Sequence, residues 1–282
     1  MSDTFDRAAE NVGNILMMEH VNLTVPDQEM AALFYVTGLG FTRDPYMDFG
    51  TFNMWINVGE QQFHLPKSDA QHFRGHIDIT VPRLDELKAR LERLGKPLKG
   101  TEFGWEIYDD HIGVTCPWGN SLRCYAPHPD IGMELGIHNL EMQIPEGTSD
   151  AIAEFYLAVF ATQATANNGT ARIPVGRNQT MHFVETDAAI ADYDRHHVAI
   201  YVADFSAPHQ WLVDRDRITE ESDQHQYRFQ ALTDGTDTAL VELEHEVRSL
   251  HHPMYARNLV NRNAGQHFFN FRPGREAFVP GT

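Results

Sequence analysis

One pattern recurs four times along the chain and constrains its fold more than any other feature. HVNLTVP begins at His20 and HIDITVP at His76; NLEMQIP begins at Asn139 and HVAIYVA at His197. The starts lie 56, 63 and 58 residues apart. In the first two copies apolar and polar residues alternate, the signature of a strand buried on one face. A repeat of this size marks a supersecondary unit that must bury its apolar face against a neighbouring copy.

The segments C-terminal to the four copies are also similar. QEMAALFYVTGLGF comes after Pro26 and reads as an amphipathic helix closed by glycine. RLDELKARLERLG comes after Pro82 and places Leu84, Leu87, Leu91 and Leu94 on one helical face. SDAIAEFYLAVF comes after Pro145, with Ser149 and Asp150 able to cap its start. FSAPHQWLVDRDRI comes after Ala203 and is less regular. Short strand-like stretches trail every helix, such as FNMWINVG and QQFHLP in the first unit and YRFQALTD and TALVELEHEV in the fourth. The reading is β-α-β-β-β, four times. A longer period overlies the short one. Phe34 and Phe155 are 121 residues apart, His64 and His182 are 118 apart, and His76 and His197 are 121 apart. The halves are expected at residues 1–128 and 134–250, with a tail over 251–282.

Composition narrows the function. The 282 residues carry 40 acidic and 22 basic side chains, a formal charge of −18 that repels phosphate backbones and anionic lipid. Nucleic-acid and membrane partners are therefore not expected; a small molecule is. No apolar run approaches the ~18 residues of a membrane span, and the opening MSDTFDRAAENVGN has no apolar signal core. A cytoplasmic location is expected. Oligomeric state is left open, a homodimer included. The two cysteines, Cys116 and Cys124, cannot make a disulfide framework and are read as buried thiols.

A paired βαβββ unit in which histidine opens the first strand and an FY…LGF segment closes the helix resembles the vicinal oxygen chelate superfamily. That superfamily includes glyoxalase I, extradiol dioxygenases and bleomycin-resistance proteins. The resemblance covers roughly residues 15–247. It implies an α+β fold of two tandem domains, each an eight-stranded cup. It also implies a divalent metal held inside a cup by the first and last strands of the paired units.

Carried over strand by strand, the resemblance names the inward positions. In unit one Val21, Leu23 and Val25 face the helix, which turns His20 into the cup; His64, between Phe63 and Leu65, faces in as well. Unit two offers His76, with Arg123 at its last-strand position, and a guanidinium cannot ligate a cation. Unit three offers Asn139 and His182; unit four offers His197 and Glu242, with Glu244 two residues on. Imidazole and carboxylate suit Fe²⁺, Zn²⁺, Ni²⁺ or Mn²⁺ and leave positions open for substrate. If units pair within halves, the metal set is His182, His197 and Glu242, and His20, His64 and His76 form a second cup blocked by Arg123. If unit one pairs with unit four, the set is His20, His64, His197 and Glu242. Units two and three then form a dead cup from His76, Arg123, Asn139 and His182. Contiguity of each half favours the first pairing.

The expected function is a metal-dependent enzyme acting on a small substrate with two neighbouring oxygens, dioxygenase-like or glyoxalase-like. The alternative is a non-catalytic ligand-sequestering protein, to which Arg123 at a ligand position would point. Arg123 and Asn139 are candidate anion- or substrate-binding residues. So are Arg248 and Tyr255, from a basic cluster running through His251, His252, Arg257 and Arg262 that could close a cup mouth.

Overall fold

The computed structural model describes residues 5–278. Unit one comprises β1 (Ile15–Asn22), α1 (Gln28–Ala31), β2 (Thr42–Asp48), β3 (Asn53–Val58) and β4 (Gln61–Pro66). Asp27 caps α1 by accepting from the Glu29 and Met30 amides. The helix continues over Ala32–Gly38 with a wider π winding, which buries both Phe34 and Tyr35. Unit two comprises β5 (Gly75–Thr80), α2 (Leu84–Leu94), β6 (Gly104–Ile107), β7 (His111–Thr115) and β8 (Ser121–Tyr125). Unit three comprises β9 (Gly136–Pro145), α3 (Ser149–Phe160), β10 (Thr165–Asn167), β11 (Thr170–Gly176) and β12 (Gln179–Thr186). Unit four comprises β13 (His197–Val202), α4 (Ser206–Val213), β14 (Ile218–Asp223), β15 (Gln226–Thr233) and β16 (Ala239–Ser249). No helix among the described residues is long and apolar enough to cross a membrane.

The four βαβββ units are as the repeats imply, but they do not pair within halves. One eight-stranded sheet runs β14-β15-β16-β13-β1-β4-β3-β2, joining unit one to unit four. The other runs β10-β11-β12-β9-β5-β8-β7-β6, joining unit two to unit three. Neither sheet is therefore contained in residues 1–128 or in 134–250. Chain distance is a weak barrier to such pairing, since each doubling of a closed loop costs only about 0.6 kcal/mol. Registered pairs from Ile15↔Val202 to Asn22↔His197 satisfy the edge of β1.

Helices hold each half together instead. The Arg90 guanidinium of α2 donates to the Gly38 carbonyl (3.2 Å), and Phe155 of α3 meets Trp211 of α4 edge-on at 5.7 Å. Ser149 does not cap α3 but is its first residue, and its amide donates to Glu185 of β12 (2.9 Å). The two sheets meet at glutamines. Gln179 accepts from the Met18 amide (3.1 Å) and donates to the Met18 and Ile137 carbonyls (3.0 and 3.1 Å). Gln61 accepts from the Ile137 amide (3.2 Å). Gly59 has φ +65°, and a Cβ there would lie 2.1 Å from the Leu135 carbonyl oxygen, so only glycine fits this junction.

Candidate metal centre

The register of the first sheet brings its site together. Asn22 pairs with His197 on one side and His64 on the other, so β1, β4 and β13 present their cup-facing residues side by side. The rings of His20 and His64 are 5.6 Å apart, those of His20 and His197 5.7 Å, and those of His64 and His197 6.5 Å. Among the described residues these form the one group of three or more His, Cys, Asp or Glu side chains whose donor atoms all lie within 4.8 Å. The Nε2 atom of each is buried without a hydrogen-bond partner. Three orphaned imidazole nitrogens would be costly in an apolar interior unless something binds them.

Neighbouring groups orient the rings. His20 Nδ1 lies 2.8 Å from Glu19 Oε2, a carboxylate–imidazole contact of the kind that leaves Nε2 free to ligate. His64 Nδ1 lies 2.7 Å from the side-chain nitrogen of Asn22, and the His64 ring stacks on Trp55 at 3.9 Å. His197 Nδ1 is 3.5 Å from Glu244. Burial, then the proximity of His20, pushes His64 and His197 well below the ordinary imidazole range, which keeps both neutral. A cation needs that protonation state.

An arginine network encloses the cluster. Arg248 pairs with Glu19 and donates from Nε to Glu246 Oε1 (2.6 Å). Arg228 donates to Glu246 Oε2 (2.5 Å) and Glu244 Oε1 (2.8 Å). Burial pushes the Glu19 carboxyl up, but Arg248 and His20 outweigh it and hold it down to about 2. Glu246 is likewise held well below the carboxylate range, because Arg248, His20 and Arg228 overcome its burial.

The tail closes this cup. Met254 packs against Met47 and Trp55, Tyr255 meets Tyr201 at 4.9 Å, and Arg257 reaches Asp44 in a buried pair (2.5 Å). A cleft of about 790 Å³ opens between residues 254–259 of the tail and the sheet junction, and it reaches Glu19, Gln62 and Tyr201.

The expected triad of His182, His197 and Glu242 is not brought together. His182 lies on β12 in the other sheet. Glu242 is exposed and bonds Gln230 (2.6 Å). His76 is likewise separated from His20 and His64, because β5 belongs to the second sheet. Arg123 does not block a cup shared with His20; it faces Asp78 across β5 and β8. Arg248 and Tyr255 do lie at the first cup, Arg248 within its ion pairs. Cys116 and Cys124 are free and buried.

Two residues of the cup lie beyond the reach of the sequence pattern. Glu242, Glu244, Glu246 and Arg248 alternate with the buried Val241, Leu243, His245 and Val247, so the cup-facing set is legible. Only register picks Glu246, which pairs with Ala199 as His64 pairs with Asn22. Glu19 reaches the cup through a register shift between Met18 and His20 that strict alternation conceals.

No family model matches the chain, and no curated protein sequence does. Solved structures do match it. Glyoxalase I from Zea mays aligns at 12% identity over 82% of this chain and 92% of that one, with a TM-score of 0.56. A suggested dioxygenase from Bacillus subtilis aligns at 12% identity over 86% of this chain and 88% of that one, with a TM-score of 0.57. At such identities the likeness is one of fold: the chain shares the architecture of these structures.

Proposed function

We propose that this chain is a divalent-metal-dependent enzyme of the vicinal-oxygen-chelate type, with His20, His64 and His197 as its metal ligands. The observation that carries the reading is the convergence of three buried, unpartnered Nε2 atoms inside one cup. Imidazole donors fit Fe²⁺, Zn²⁺ or Ni²⁺. Such an ion would supply a positive charge that polarises two adjacent substrate oxygens. The substrate class is a small molecule bearing neighbouring oxygens, for ring cleavage or for isomerisation.

The chain's own residues do the rest. Glu19 holds His20 by its Nδ1 edge, and the Trp55 face fixes His64. The packing of Met254 against Met47 and Trp55 excludes water from the cup, which strengthens every charge interaction inside it. The cleft between the tail and the sheet junction reaches Glu19, the carboxylate that holds His20.

Elemental analysis of gently purified protein tests the reading. One divalent ion per chain is expected, lost on His20→Ala. Protein that neither retains nor takes up an ion would refute it. A panel of catechols and of 2-oxoaldehyde–thiol adducts would then separate ring cleavage from isomerisation.

A further inference from the structure

The fourth corner of the first cup is Glu246, placed by the same pairing that places His64. A carboxylate there looks like a fourth ligand. Its surroundings argue otherwise. Glu246 Oε1 takes Nε and Nη2 of Arg248, and Oε2 takes Nη2 of Arg228. Glu246 and Arg248 are both buried. Turning the carboxylate toward the histidines would strip charge-assisted bonds from two guanidiniums, and removing a partner from a buried pair is strongly unfavourable. The nearer oxygen lies 3.7 Å from His197 Nε2, and Glu246 does not join the group of donor atoms within 4.8 Å.

We infer that the centre is a three-imidazole site from which Arg228 and Arg248 withhold Glu246. This rests on the metal-centre reading above. Glu246 is then a positioning residue. Through Arg248 it is tied to Glu19, the carboxylate that orients His20, so one ionic chain braces the cluster from β1 to β16. Three neutral ligands would also leave a divalent ion its full charge, matched to a substrate whose two adjacent oxygens are anionic.

Copper and cobalt loading distinguishes the alternatives. In wild-type protein loaded with Cu²⁺, electron paramagnetic resonance should show superhyperfine coupling to three imidazole nitrogens. The same pattern should persist in Glu246→Gln, which keeps the shape and one acceptor of the side chain. By chelator competition the affinity for Co²⁺ should weaken by ~10–100-fold in Glu246→Gln, the size of an outer-shell loss, and by more than ~100-fold in His197→Ala. Coupling to only two nitrogens in wild-type protein, a measurement that needs no variant to fold, would overturn the inference and leave a metal centre standing. An affinity loss in Glu246→Gln equal to that of His197→Ala would do the same. Wild-type protein that binds neither ion would overturn this inference together with the metal-centre reading.

Discussion

The two sheets place four side chains at equivalent corners and fill them differently. The first cup has His20, His64, His197 and Glu246; the second has His76, Arg123, Asn139 and His182. In the first, three imidazole nitrogens are left without partners. In the second, one imidazole nitrogen, His76 Nε2, is left so, and the corners do not gather three donor atoms within 4.8 Å. Asn139 donates to Asp78 Oδ2 (2.8 Å) and accepts from Thr180 (3.0 Å), and His76 Nε2 sits 3.5 Å from both Asp78 and Glu141. Burial, then Arg123, pushes His76 down to about 4, while burial lifts Asp78 to about 6. A duplicated scaffold fixes where side chains point and leaves open whether they find each other.

The contrast breaks most sharply on metal content. Alanine at His20 or His197 should abolish metal uptake, whereas alanine at His76 or His182 should leave stoichiometry unchanged by elemental analysis. Equal loss from both sets would erase the distinction between the cups. Stability should divide the same way. Arg248→Met takes the only guanidinium from the buried Glu19 and one of two from Glu246, and should cost about 3–5 kcal/mol by urea denaturation. Arg123→Met removes a half-buried charge from the second cup and should cost about 1 kcal/mol or less. Gly59→Ala tests the seam between the cups. Its Cβ would meet the Leu135 carbonyl, so a loss of about 1–3 kcal/mol is expected.

The smallest effect is a slope. His76, His138, His245 and His252 are each pushed by burial from 6.5 to about 4. The unfolded chain therefore takes up protons that the native state refuses, and stability falls as pH drops from about 6.5 toward 4. Asp78 works the other way: raised from 3.8 to about 6, it favours the native state as pH falls through that window. Thermal denaturation of Asp78→Asn should therefore lose stability more steeply than wild type between pH 6 and 4, by at most about 1.4 kcal/mol per pH unit. A shallower slope would put Asp78 in a different ionisation state.

Much of the first cup is legible in the residues. Alternation around Val21, Leu23 and Val25 and around Phe63 and Leu65 turns His20 and His64 inward, and both face the cup. The four units and their helices follow from the repeats. What alternation cannot supply is pairing between strands far apart in the chain, because every unit offers a similar edge. Contiguity therefore groups His197 with His182 instead of His20, although the cross-pairing alternative names His20, His64 and His197 together. Register is equally hidden: Glu242 and Glu246 share a face, and only the neighbouring strand decides which one meets the histidines. Glu19 is out of reach, since a bulge breaks the period-two rule that identifies the other inward positions.

The nesting of one sheet inside the other bears on how the chain is made. β5 through β12, residues 75–186, form a complete sheet from one contiguous stretch, whereas β1 must wait for β13, whose first residue is His197. During synthesis the inner sheet has all its strands while unit one still presents an unpaired edge. High sequence separation between partners slows folding, and an open strand edge meanwhile invites pairing with other chains. Production of the protein should therefore be limited by the time unit one spends waiting. An excised segment spanning residues 75–186 should fold faster than the whole, while residues 1–128 alone should be prone to associate.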